Sequence, residues 1–210
     1  MKLKTEPYLQ QKARWPEKGK VILAQYDPES IVVYQAYRPA IGNFAAQNGY
    51  FGGEFKLSRM TWIKPNFLWM MYRSGWGTKQ GQEVILAIHL KRSAFDSIVT
   101  QAVHSKYIPE IYDSQEAWHQ ALKSSKVRLQ WDPDRSPVGG RLERRAIQLG
   151  LRGEAIVKYA REWIVSIEDI SEFVREQRQH ALSQNYEALL IPSEYVYRIR
   201  NGERETRNGV

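Results

Sequence analysis

Phe67, Leu68, Trp69, Met70, Met71 and Tyr72 follow one another without a conventional polar position. A helix or strand that is apolar on every side has no face to give to water, so this element has to lie in the core. Around it stand Arg59, Lys64 and Arg73. Their charged ends cannot be buried unpaired and must reach the surface, a partner acid or a bound anion. The run therefore predicts a buried element with a cationic rim. Asn66 is placed to cap a helix here, and Gly75 or Gly77 to close it.

The remaining 204 positions have to cover that element, and with 42% apolar residues in a chain of 210 there is enough to build one sizeable core. Residues 1–20 are polar, with a turn at Trp15-Pro16-Glu17-Lys18-Gly19, and read as a loosely ordered N-terminal segment. Residues 21–200 read as a single domain and residues 201–210 as a frayed basic tail. Ile31–Tyr34 and Val84–Leu90 are apolar strands, the second nearly unbroken and so expected at the centre of a sheet. Pro39 to Gly49 reads as a short helix with Pro in its first turn and Gly at its stop. Ser93-Ala94-Phe95-Asp96 has the form of a capping box, and helices are expected over Ser114–Leu122, Glu154–Glu162 and from Asp169 or Ser171 onward. Asp132 to Gly140 is dense in breakers and reads as a loop. Strands and helices are mixed without regular alternation, which predicts an α+β fold of mixed and antiparallel sheets flanked by helices.

Several chemistries are set aside by what is missing. The chain has no cysteine, so it has neither disulfides nor thiolate catalysis, and its four histidines share no ligand spacing, so no metal centre is expected. Gly75 to Gly81 lacks the Lys-Ser/Thr ending of a phosphate-binding loop, and no Gly-x-Ser-x-Gly elbow occurs. No apolar run approaches the roughly 20 residues of a membrane span, which predicts a soluble, cytoplasmic protein with no membrane partner. The formal charge of +8, with seven Trp and twelve Tyr, suits a partner that carries phosphates and flat rings. Arg141, Arg144, Arg145 and Arg152 form a basic block suited to nucleic acid. Asp132 and Asp134 with Glu143 would suit a divalent cation, as in a metal-dependent nuclease, although acids around Pro133 also fit ordinary turn chemistry.

The runs Val33-Tyr34-Gln35-Ala36-Tyr37-Arg38-Pro39-Ala40-Ile41-Gly42, Thr61 to Arg73 and Arg145-Ala146-Ile147-Gln148-Leu149-Gly150-Leu151-Arg152-Gly153 resemble a bacterial and fungal family, domain of unknown function 4291. A second, more distant resemblance is to ADP-ribosyltransferases of the DNA-targeting toxin type. It implies a split pair of sheets and NAD as the consumed cofactor. It also implies that Gln35, Tyr37 and Arg38 hold NAD at a strand end, that Arg38 with Arg59 or Lys64 neutralises the pyrophosphate, and that Tyr37 or Trp62 stacks on the nicotinamide. Glu154 stands where that family's catalytic acid would be, and it also fits an acid favoured by a helix dipole. Arg141, Arg144, Arg145 and Arg152 would then hold a nucleotide or nucleic-acid acceptor. A non-catalytic nucleic-acid-binding domain is the alternative, with the nuclease behind it; oligomeric state is not legible.

Overall fold

The computed structural model describes residues 3–200. In chain order its elements are β1 (Thr5–Pro7), α1 (Tyr8–Arg14), β2 (Gly19–Lys20), β3 (Leu23–Ala24), β4 (Ser30–Tyr37), α2 (Pro39–Asn48), β5 (Thr61–Ile63) and α3 (Phe67–Ser74). There follow β6 (Val84–Lys91), α4 (Arg92–Thr100), β7 (Val103–His104), α5 (Gln115–Ser124), β8 (Val127–Arg135) and β9 (Arg141–Leu151). The last are α6 (Glu154–Lys158), a π-helical turn Tyr159–Trp163, β10 (Ile164–Asp169), α7 (Ser171–Leu182), β11 (Leu190–Pro192) and β12 (Tyr195–Val196).

The apolar strand β6 lies between β4 and β10, antiparallel to both. It is central because every residue from Val84 to Leu90 is buried, and only a strand covered on both faces can be apolar at each position. Alternation divides the neighbours. Ile31, Val33, Leu86 and Ile88 enter one core cluster with Leu129, Ile147 and Leu149 of the second sheet. Val32, Tyr34, Ile85 and Ala87 enter another, beneath Phe67, Leu68 and Met71 of α3 and Val174 of α7. The greasy run thus fills one side of the sheet, as its composition demanded. Asn66 caps α3 by accepting from Trp69 N at 2.7 Å, and Gly75 ends it in the left-handed region at φ 61°.

In the second sheet β9 pairs with β8 along one edge, and β7 extends β8. Along the other edge of β9 lie β5 at Thr61–Ile63 and β2 at Gly19–Lys20. Among the described residues one main-chain bridge joins the two sheets, where Tyr34 N donates to Lys64 O at 2.7 Å. The result is an α+β domain of mixed and antiparallel sheets.

Four local expectations need correction. The N-terminal segment is packed, with Tyr8, Gln11 and Trp15 buried. Its polarity suggested looseness, yet the Gln11 amide donates to Ile191 O and Pro192 O at 3.3 and 3.0 Å, accepts from Glu194 N at 2.7 Å, and so is satisfied by residues about 180 positions away. The Ser93 capping box does not form, because α4 begins at Arg92 and the Asp96 carboxylate accepts from the Tyr197 hydroxyl. Asp132 to Arg135 belongs to β8, whose register shift at Pro133/Arg135 accommodates the proline. The expected helix over Glu154–Glu162 gives way to a π turn after Lys158. The expected tail, residues 201–210, lies outside the described residues. No helix among the described residues is long and apolar enough to cross a membrane.

Candidate functional site

Where the sheets touch, apolar packing gives way to a polar seam. The Tyr159 hydroxyl, fully buried, donates to Gln35 Oε1 at 2.6 Å. Gln35 Nε2 in turn donates to Thr61 Oγ1 at 2.7 Å and to Trp62 O at 3.0 Å, and the Tyr37 hydroxyl meets Thr61 Oγ1 at 2.8 Å. Burial pushes both the Tyr37 and Tyr159 phenols well above their usual range, so they stay neutral donors. Fully bonded networks of this kind fix side chains in one arrangement. Here the network holds the ends of β4 and β5 together.

Two hollows open from this seam and share Tyr37, Met60 and Thr61 as walls. The first, about 410 Å³, is polar: Gln35, Trp62, Lys64, Arg73, Gln130 and Gln148 also line it. Gln130 and Gln148, paired across β8 and β9, donate to the two oxygens of Asp132 at 2.8 and 2.6 Å. Gly150 is closely covered here, since a Cβ would lie 2.8 Å from Met60 Sδ and 3.0 Å from Trp62 Cζ2. Its bare backbone lets Trp62 lie across β9. The second hollow, about 400 Å³, is lined by Arg38, Ile41, Glu54, Phe55, Lys56 and Arg59. Arg38 pairs with Glu54 there, and both side chains are more than half exposed. An exposed ion pair of that kind contributes little to stability and yields easily to a competing anion.

Lys64 is the unusual charge. Only 6% of it is exposed, and its ammonium donates to Trp62 O at 3.0 Å with the Trp69 ring centroid 5.4 Å away. Burial, followed by the nearby Arg73 guanidinium, lowers its pKa to about 7, while Asp132 pulls the other way.

Of the predicted NAD-binding residues, Gln35, Tyr37, Trp62 and Lys64 share the polar hollow, while Arg38 and Arg59 share the adjoining one with Tyr37. Glu154 lines neither; it lies in the first turn of α6, two-thirds exposed, with Lys158 Nζ 2.6 Å away. The arginine block does not form one surface. Arg144 is buried, pairing with Asp134 at 2.7 Å and donating to Pro16 O at 2.7 Å. Arg152 donates to the carbonyls of Leu122, Lys123 and Ser125 behind α5, at 3.1, 2.6 and 2.9 Å. Arg141 and Arg145 are exposed. Nor do the acids gather: Asp134 is committed to Arg144 and Asp132 to the glutamines, and no metal-holding cluster forms among the described residues.

Thr61, Gln130, Gln148 and Tyr159 join the site without having been singled out, and Arg73, expected in the cationic rim, lines the polar hollow. Gln130 and Gln148 had a readable sign. They are polar positions alternating with Leu129, Ile147 and Leu149, and that pattern marks the strand face turned away from the core. Tyr159 had none, since a tyrosine in an apolar stretch reads as packing.

These features define an α+β protein with a double hollow at a sheet junction, rimmed by cations and walled by amides and rings. The family model for "Domain of unknown function (DUF4291)" matches residues 21–197, and the chain belongs to that family. No curated protein matches the chain.

Proposed function

We propose that the paired hollows bind NAD or a closely related nucleotide, and that the protein is an NAD-dependent ADP-ribosyltransferase-like enzyme whose acceptor is a nucleotide or nucleic acid. The observation that carries this reading is the adjoining pair of cavities over Tyr37, Met60 and Thr61, with Arg38, Lys56 and Arg59 on one side and Lys64 and Arg73 on the other. A dinucleotide has two ring-bearing halves joined by a pyrophosphate, and this arrangement offers two compartments with cations near their common wall. Trp62 supplies a ring face, and Gln35 and Thr61 supply polar anchors.

Breaking the nicotinamide–ribose bond builds positive charge on the sugar, which an ionised carboxylate stabilises. Asp132, which accepts from Gln130 and Gln148 of the wall and acts electrostatically on Lys64, is the acid this reading assigns, whereas Glu154 is paired with Lys158 on α6. A cytoplasmic location, where NAD and nucleic acids are both abundant, accompanies the reading. Calorimetry with NAD tests it: heat from the wild type and at least ten-fold weaker binding by Arg38→Ala are expected, and folded wild type without heat overturns it. Turnover lost in Asp132→Asn but kept in Glu154→Gln would assign the acid.

The second reading, a non-catalytic nucleic-acid binder, draws on a different observation. Tyr72 is exposed, with the Arg135 guanidinium 3.7 Å and Lys79 Nζ 5.9 Å from its ring centroid. A base can stack at such a ring while the cations meet phosphate. Oligonucleotide affinity that falls steeply with salt and is unchanged in Asp132→Asn would favour it.

A further inference from the structure

We propose that Lys64 is a nucleophilic amine that forms an imine with the carbonyl carbon of a small, phosphate-bearing aldehyde or ketone held in the polar hollow. The inference goes beyond the nucleotide reading and does not need NAD to be the ligand. It begins with the backbone. Lys64 O accepts a main-chain bond from Tyr34 N that joins the two sheets, and Pro65 follows directly, so the residue is fixed where it stands. Its side chain is buried yet lines the cavity. Among the described residues no carboxylate forms a salt bridge with it; its hydrogen bond runs to the carbonyl of Trp62.

A lysine whose task was only to hold an anion would work best in water-facing, fully protonated form. Lys64 is instead kept from water and set near a second cation, Arg73, and these are the two arrangements that free an amine's lone pair. The charged or titratable groups around it are Arg73 from α3, Asp132 from β8, and the neutral phenol of Tyr37 from β4 at the cavity wall. With its pKa lowered to about 7, half the amine is neutral at pH 7. An ordinary lysine is then neutral to only about one part in three thousand. Arg73, exposed at the rim of the same hollow, is placed to take the phosphate.

The chemistry closes without another reactant. The amine lone pair attacks the carbonyl carbon, a C–N bond forms, and the oxygen takes up the proton released by nitrogen. The resulting carbinolamine loses its hydroxyl and the remaining nitrogen-bound proton together as water, leaving the C=N bond to Lys64.

The test is reductive trapping of the full chain at pH 7 with glyceraldehyde 3-phosphate and cyanoborohydride, read by peptide mass mapping. Lys64 should carry the reduced adduct at least ten-fold faster than exposed Lys56, with unphosphorylated glyceraldehyde slower. Arg73→Gln should slow trapping at Lys64. Labelling of Lys64 no faster than Lys56 in the wild type overturns the proposal and requires no variant to fold; equal rates with glyceraldehyde overturn the phosphate part. Heat with NAD and no trapping would remove this inference alone, and trapping without NAD heat would remove the nucleotide reading alone.

Discussion

A lysine ammonium buried without a carboxylate is a standing cost to the fold, and at Lys64 that cost depends on pH in a defined direction. The native amine has its pKa lowered to about 7 from 10.5, so between those values the unfolded chain binds the proton and the native one does not. Native stability attributable to this site therefore rises with pH across that window, by up to about 1.4 kcal/mol per unit. Below pH 7 both states are protonated and the full penalty applies. Lys64→Met should be more stable than wild type at pH 6.5, with the difference narrowing as urea denaturation is repeated toward pH 10. Arg144 behaves differently. Burial raises the pKa of its partner Asp134 despite the guanidinium 2.7 Å away, which marks a pair with little net surplus that is nonetheless damaging to break. Arg144→Met should cost about 3–5 kcal/mol by urea denaturation, and Arg144→Met with Asp134→Leu should recover much of it.

Among the elements, α2 and β6 approach closely enough to leave no room for a methyl group. A Cβ on Gly42 would lie 2.5 Å from Val84 Cβ, so Gly42→Ala should lower stability by about 1–3 kcal/mol through overpacking. Gly49, at φ 74° with nothing within 4 Å of a Cβ, should lose only about 1 kcal/mol as alanine, from backbone strain. Melting temperatures of the two variants measure the contrast. Elements such as β6, α2 and α3 were legible because their determinants are local: an unbroken apolar run, a first-turn proline, an asparagine cap. β1 and β11 were not, because Thr5–Pro7 and Leu190–Pro192 hold few strand formers and gain their ladder only from each other. The Ser93 box matched a pattern that helix α4, starting one residue earlier, does not use.

At the scale of the molecule, the site is where four strands from distant parts of the chain converge. Gln35, Tyr37, Trp62 and Lys64 were named from a family resemblance, and the adjacent ends of β4 and β5 bring them together. The contributions of Gln130, Gln148 and Tyr159 depend on the pairing of β8 with β9 and on a π turn, and neither is encoded within a short window. The arginine block misled for a related reason: strand alternation turned Arg144 inward, while Arg152 was drawn to the carbonyls behind α5. The pairing of β1 with β11 also sets Thr5 beside Pro192. Cutting the main chain in the exposed turn at Glu110–Ile111 should therefore leave two fragments that stay associated, with β1 of one on β11 of the other, and that still capture the aldehyde at Lys64.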